Sequence, residues 1–236
     1  MKKLFSVLIL VIVCVCCFFL RSSPEFLNQT VLDISKRVHV YCECYNSWIN
    51  GRVENFAHME LRDGTSFGSI LLDAAVEVNG QTLVYDDDTQ TYRGDIGNVE
   101  QWQEIPIRIQ TQDNRKVRGH VVVVFMVEFT QPKPLSNVPS SRAFPVSWKY
   151  SEGSMHTVDL EIFSDEREPV GIEVRGNHTT VDLSRMGIEI NRGENLHLRV
   201  LPPWTSNYEF SGNLTRRSKA YFITSATLTV RLNKYE

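Results

Sequence analysis

The chain has 236 residues, 22% of them charged, and a formal net charge of −3 at pH 7. This balance lacks the basic surplus of proteins that bind nucleic acid, so we expect no nucleic-acid partner. Of five cysteines, three stand before residue 18, which excludes a framework of several disulfides in the rest of the chain. The length after that point suffices for one large or two ordinary domains.

The segment Leu4–Leu20 is apolar except for Ser6 and follows Lys2 and Lys3. As a helix it would be about 25 Å long, at the short end of what crosses a hydrocarbon core. No pair of small residues marks a cleavage site after it, which favours an uncleaved signal anchor at 1–23 over a cleaved signal peptide. Because the lysines stay on the cytoplasmic side, we expect the rest of the chain to be extracytoplasmic and tethered to the membrane, in the periplasm or at the cell surface.

The cysteines leave further interpretations open. Cys14 or Cys17 could carry a lipid, as in bacterial lipoproteins, although neither follows the small residue expected before such a cysteine. Farther along, Cys42 and Cys44 could form a local disulfide or pair with a second copy of the protein. His39 also lies near them, but three residues are too few for a tetrahedral metal site.

A short helical stalk is predicted for residues 24–48. Ser23 and Pro24 are typical of a helix start, as cap and first helical residue. Apolar residues then recur at helical spacing, namely Leu27, Val31, Ile34 and Val38.

Residues 49–130 predict a first β-sandwich. Asn79-Gly80 stands between two alternating segments and indicates a hairpin with a two-residue turn. A later strand alternates isoleucines with more polar residues, at Ile105, Ile107 and Ile109. Several short strands at this spacing are typical of an all-β sandwich.

Three consecutive aspartates, residues 86–88, follow the hairpin. Asp86 and Asp88 could contribute to a calcium site, because clustered carboxylates suit a hard cation. Aspartate is also common in turns, where its side chain bonds the backbone. Both interpretations stay open.

A proline-rich linker is predicted at 131–141, followed by a second sandwich at 142–236. Prolines at this density cannot continue a central strand. After them, alternation returns around Trp148, which we expect in the core, and in Val158, Leu160, Ile162, Ala226, Leu228, Val230 and Leu232.

The string AAVEVNGQTLVYDDDTQTYRGDI, followed by IPIRI and VRGHVVVVF, resembles the immunoglobulin-like domains of bacterial cell-envelope and lipoprotein-type proteins. The next strings, QPKPLS and FPVSWKYS, resemble the entry to a fibronectin type III-like domain, with Trp148 in the place of its early core tryptophan. The resemblance spans residues 50 to 235. It implies an all-β fold of two tandem Ig/FN3-like β-sandwiches after an N-terminal membrane helix and short helical stalk, and it carries no catalytic residue across.

The chemistry-bearing residues favour a binding protein over an enzyme. The sequence has no His-Glu-x-x-His motif and no nucleophile elbow, so we expect no catalysis and no cofactor. Trp204, Trp102 and Tyr208 could line a surface for a carbohydrate or a peptide. We therefore expect a membrane-tethered extracytoplasmic binding or structural module with a protein or envelope-polymer partner. The alternatives are an accessory subunit that binds carbohydrate or peptide through Trp-bearing loops and, least favoured, a metal-dependent hydrolase.

Overall fold

The structure is a computed structural model that describes residues 36–139, 143–151, 157–188, 193–203 and 205–233. These ranges consist of strands and loops without a helix, so the predicted all-β class is confirmed for them. Accordingly, they contain no helix that is long and apolar enough to span a membrane. The segment Leu4–Leu20, with Cys14 and Cys17, lies outside the described residues, as do residues 24–35 of the predicted stalk.

Sixteen strands follow one another in the described part of the chain. They are β1 Val38–Ile49, β2 Arg52–Asp63, β3 Ala75–Val78, β4 Gln81–Asp86, β5 Thr91–Asp95, β6 Glu104–Gln110, β7 Lys116–Val122, β8 Val127–Gln131, β9 Asn137–Val138, β10 Phe144–Tyr150, β11 Thr157–Ser164, β12 Arg167–Arg175, β13 His178–Val181, β14 Asn195–Leu201, β15 Tyr208–Gly212 and β16 Lys219–Leu232.

Most strands belong to one large sheet in the order β12-β11-β14-β16-β1-β2-β5-β4-β3-β6-β7-β15, with β9 pairing beside β16. A smaller sheet has the order β13-β10-β8. In the middle of the large sheet, β1 and β16 run parallel, from Tyr41 opposite Lys219 to Ile49 opposite Thr227. The other long neighbour of β1 is β2, which is antiparallel to it.

The hairpin of β3 and β4 forms as predicted. Asn79 and Gly80 have φ angles of 52° and 77°, which a two-residue turn between twisted strands requires. Because β4 pairs with β3 on one side and with β5 on the other, this hairpin also carries the large sheet around a bend.

The first core lies inside that bend, between the β16-β1-β2-β5 part of the sheet and the β3-β6-β7 part. Its buried side chains come from alternate positions of each strand, because successive side chains point to opposite faces. They include Val38, Val40, Cys42, Cys44, Ala57, Met59, Leu61, Val76, Val78, Ile105, Ile107, Ile109, Val117, Val121, Ala220 and Phe222.

The second core lies between the β12-β11-β14-β16 part of the large sheet and the small sheet. Trp148 is 1% exposed at its centre, as predicted, and its indole nitrogen donates to the Tyr150 hydroxyl at 3.0 Å. The core also contains Trp48, Val127, Phe129, Val146, Val158, Leu160, Ile162, Leu196, Leu198, Val200, Ala226, Leu228 and Val230.

The strand β1 corrects the predicted stalk. Residues 38–48 are strand rather than helix, because β1 pairs along its length with two long neighbours, β2 and β16. The apolar spacing that suggested a helix reaches only Val38, the first residue of β1.

The two cores do not follow the predicted halves of the sequence. Strands β1 and β16 contribute side chains to both cores, and β15 pairs with β7 from the other half. That pairing is close at Gly119, where a Cβ would lie 2.3 Å from the Glu209 carbonyl oxygen. Within 131–141, residues Asn137–Val138 form β9 and pair with β16.

A buried polar seam separates the two cores. On β1, Asn46 lies between Cys44 of the first core and Trp48 of the second. Its side-chain nitrogen donates to the Asn55 side-chain oxygen at 2.7 Å, and its oxygen accepts from the Thr224 hydroxyl at 3.4 Å. These three residues are at most 6% exposed, so their hydrogen bonds to each other replace those that water would make.

Candidate binding site

The odd-numbered residues of β1 face away from the first core. Because side chains alternate along a strand, the row Tyr41, Glu43 and Tyr45 lies on the outer face of the large sheet. Glu43 is nevertheless only 8% exposed. A carboxylate buried on an outer face requires an explanation, since a charge is costly to remove from water.

Four side chains surround Glu43, one on each side. Tyr41 and Tyr45 stand two residues before and after it on β1, while His58 of β2 and Tyr221 of β16 are directly opposite it. All four carry rings and are partly buried. We call Tyr41, Tyr45, His58 and Tyr221 the aromatic collar.

Three members of the aromatic collar bond the carboxylate directly. The Tyr41 hydroxyl donates to Oε1 of Glu43 at 2.6 Å, and the Tyr45 hydroxyl donates to Oε2 at 2.5 Å. His58 Nε2 lies 2.7 Å from the same Oε2. Burial and these bonds to Glu43 raise the pKa of both tyrosines well above its ordinary value, so both phenols stay protonated.

The rings of the aromatic collar also contact one another and one further ring. Tyr45 stacks on Phe56 with ring centroids 4.5 Å apart and planes 8° from parallel, and the His58 ring lies 5.4 Å from Tyr45. On the other side of Glu43, the Tyr41 and Tyr221 rings are 5.7 Å apart. The rings thus form two groups over the middle of the sheet, one on each side of Glu43.

The charge at this surface is set by Glu43. Its phenol partners are neutral, so within the described residues the carboxylate is paired with a cation only when His58 is protonated. Arg93, which is opposite His58, bonds Asp86 instead, at 3.0 Å. The arrangement is therefore a set of aromatic rings above a buried negative charge.

Two of the three aromatic residues predicted from the sequence, Trp102 and Tyr208, flank β7 from opposite sides. Trp102 is 54% exposed with a φ angle of 62°, just before β6. Tyr208 lies on β15, at the opposite edge of β7 from β6, where it packs against the first core and donates to the Ser218 carbonyl at 3.2 Å. Trp204 lies outside the described residues.

The predicted calcium residues form a turn. One carboxylate oxygen of Asp86 accepts the backbone N–H of Asp88 at 3.0 Å, and the other accepts from Arg93. Hydrogen bonding to Arg93 lowers the pKa of Asp86. Within the described ranges, no group of three or more His, Cys, Asp or Glu side chains is placed to hold a metal ion.

Cys42 and Cys44 are free thiols in the structure, not the local disulfide considered from the sequence. Both side chains are fully buried in the first core, with their sulfurs 3.8 Å apart. Two residues apart on an extended strand, their Cα atoms stand roughly 6.6 Å apart, at the upper limit for a disulfide, so a bond would have to bend β1. The hydrogen bond to Cys44 and burial raise the pKa of the Cys42 thiol well above its ordinary value.

The helical stalk predicted for residues 24–48 hides the aromatic collar, because a helix does not place residues 41, 43 and 45 on one face. A period-two signal was present, since aromatic and acidic side chains at 41, 43 and 45 alternate with cysteines at 42 and 44. Cysteine is among the most buried residue types, so this alternation is what a strand between a core and a polar face would show.

No family model and no curated protein matches the chain. Among solved structures, it is similar to the fibronectin(III)-like modules of CbhA from Clostridium thermocellum, with 13% sequence identity over 84% of this chain and 96% of that one. The TM-score of this match is 0.25, which is too low to establish a shared fold. The architecture described above therefore rests on the strand pairing itself.

Proposed function

We propose that the chain is a non-enzymatic binding module, tethered outside the cytoplasmic membrane, and that the aromatic collar with Phe56 is its recognition surface. The observation that carries the proposal is Glu43, a carboxylate 8% exposed on an outer sheet face and enclosed by four ringed side chains.

Stability alone gives little reason for this arrangement. On an outer sheet face, threonine, lysine or arginine would keep its polar group in water. A buried carboxylate instead loses hydration, which hydrogen bonds only partly replace. Titratable groups held in costly environments concentrate at functional sites. The rings of the aromatic collar are partly exposed and add flat apolar area, which is typical of surfaces that bind another molecule.

The membrane tether is supported by the sequence pattern of Leu4–Leu20 with Lys2 and Lys3 before it. A module held there would meet envelope polymers and other exported proteins, which are the partner classes that we propose. Binding at the outer face of the large sheet requires no catalytic group, which is consistent with a non-enzymatic role.

The test is recovery of a partner from envelope fractions after mild crosslinking, with the full chain as bait. Phe56→Ser removes the ring that stacks on Tyr45 without touching the hydrogen bonds of Glu43. Phe67→Ser is the matched control, since Phe67 is 90% exposed in a loop after β2. We expect the wild type and the control to retain a partner that Phe56→Ser loses. Equal recovery by all three, or no recovery by any, would contradict the proposal.

A further inference from the structure

Taking the proposed recognition surface as its basis, we propose that the aromatic collar binds an alkylated ammonium group, of the kind that choline carries. The shape of the aromatic collar suits such a group. Glu43 has ringed side chains along its own strand and on both neighbouring strands, so a roughly spherical group above it would touch a ring on every side. Recognition of quaternary ammonium groups by aromatic cages works in this way.

The charge beneath the aromatic collar favours a cation. Glu43 accepts from two neutral phenols and lies beside one histidine, so a neutral His58 leaves a buried negative charge under the rings. A cation above the rings would compensate this charge in a partly desolvated setting, where electrostatic attraction is stronger than in water.

The hydrogen bonds of the collar also affect the electronic state of its rings. The hydroxyls of Tyr41 and Tyr45 donate hydrogen bonds to a carboxylate, which shifts electron density from that anion towards the phenol rings. A more negative ring face attracts a cation more strongly. The same hydrogen bonds fix both rings, so little side-chain freedom is lost when a ligand binds.

Alkylation of the ammonium group follows from the surface that it would contact. The collar rings and Phe56 offer apolar area, and an ammonium with methyl groups is less strongly hydrated than a lysine ammonium or a metal ion. The ion therefore loses less hydration on binding and gains contact through its methyl groups.

Neighbouring charges distinguish attraction by Glu43 from non-specific adsorption to the aromatic rings. Arg62 bonds Glu60 and Arg93 bonds Asp86, so these two cations are paired. Lys219 stands opposite Tyr41, next to Tyr221, and is exposed. Its positive charge opposes a bound cation, so removing it should strengthen binding.

The experiment is calorimetric titration of the full chain, in an uncharged polyoxyethylene detergent, with choline and with its neutral isostere 3,3-dimethyl-1-butanol. We expect choline to bind roughly tenfold more tightly than the isostere, the preference that a partly desolvated cation–π contact supports. Glu43→Gln should remove most of this preference, while Lys219→Gln should strengthen choline binding up to about threefold. Equal affinity for both compounds, or no binding of choline, would overturn the inference.

Two further measurements distinguish failure of the ligand class from failure of the recognition surface. If Glu43→Gln does not fold, the isostere comparison and Lys219→Gln still decide the inference, because neither depends on that variant. Because the proposed Leu4–Leu20 anchor would insert into any vesicle, the lipid arm titrates the same detergent-held chain with a short-chain, water-soluble phosphatidylcholine. Binding tighter than that of choline assigns the ammonium group to a lipid headgroup, and binding of free choline alone assigns it to a solute. If Phe56 proves necessary for partner recovery but choline does not bind, the ligand class is wrong and the recognition surface stands; loss of both results overturns both.

Discussion

The two faces of β1 are buried in different ways. Its even-numbered face, with Val40, Cys42 and Cys44, is covered by the opposite part of the bent sheet and makes apolar contacts. Its odd-numbered face has no second layer in the described structure, and Glu43 is covered there by the rings beside it. Burial on one face thus comes from distant strands, and on the other from neighbours within one sheet.

This difference separates stability from function. A side chain on the core face is surrounded by close-packed atoms, so its loss leaves a cavity that cannot be refilled. A side chain on the outer face is bordered by solvent, so its loss can be repaired by water. Substitutions on the core face should therefore lower stability most, and those on the outer face should act mainly on binding.

Adjacent residues of β16 test this directly. Phe222, 2% exposed in the first core, should cost about 3–5 kcal/mol of unfolding free energy when replaced by alanine, because its cavity persists. Tyr221→Ala, on the outer face, should cost about 1 kcal/mol. Urea denaturation of both variants measures the difference, and equal losses would show that the outer face is packed as tightly as the core.

Glu43 should show an intermediate effect. Glu43→Ala leaves the hydroxyls of Tyr41 and Tyr45 without their acceptor, so we expect a loss of about 2 kcal/mol, and about 1 kcal/mol for Glu43→Gln. Glu54→Ala is the control, since Glu54 is exposed on β2. Denaturant unfolding of the variants gives these values. If Glu43→Ala is as harmless as the control, the hydrogen bonds around the carboxylate do not stabilise the fold.

The polar seam predicts non-additive losses. Asn55→Leu leaves the buried side chain of Asn46 short of an acceptor and should cost about 2 kcal/mol. Replacing Asn46 by leucine as well removes both amides and keeps the number of side-chain heavy atoms, and only the Thr224 hydroxyl then loses its acceptor. The double variant should therefore lose less than the sum of the single variants. A double-mutant cycle in urea measures this coupling, and strict additivity would mean that the two side chains act independently.

The smallest expected effect is the contribution of His39 to the pH dependence of stability. His39 lies on β1, two residues before Tyr41. Burial lowers the pKa of His39 below its ordinary value, while Glu60 raises it and Arg62 and Arg217 lower it further. Below about pH 6.5 the unfolded chain therefore binds a proton that the folded chain does not, so stability falls as the pH decreases. Thermal unfolding between pH 7 and 5 should show a shallower fall for His39→Gln than for the wild type. Parallel curves would show that His39 contributes nothing to the pH dependence.

Local features of the fold could be predicted from the sequence. The turn at Asn79-Gly80 needs only two residues that tolerate positive φ angles. The alternation of Ile105, Ile107 and Ile109 reports one buried and one exposed face, and β6 has that pattern. In each case the signal and the structure lie within the same few residues.

Long-range features could not be predicted. The outer face of β1 carries Tyr41, Glu43 and Tyr45, which are themselves partly or fully buried, so the period-two signal of this strand is not a plain alternation of apolar and exposed polar residues. Its neighbour β16 lies 178 residues later at the hydrogen bond between Ser47 and Ser225. The aromatic collar depends on this pairing, because Tyr221 reaches Glu43 only across it, and no spacing in the sequence encodes the register of two distant strands.

The sharing of β16 has a consequence for how the protein is made. Ala220 and Phe222 of this strand complete the first core, while Ala226 and Leu228 complete the second. Because Lys219–Leu232 is synthesised after every other strand described, neither core can close while the chain is still being translated up to that point. A chain interrupted before Lys219 would leave both cores open to solvent and to proteases. The export that we propose would suit a route that carries the chain unfolded and lets it fold only after its last strand has arrived.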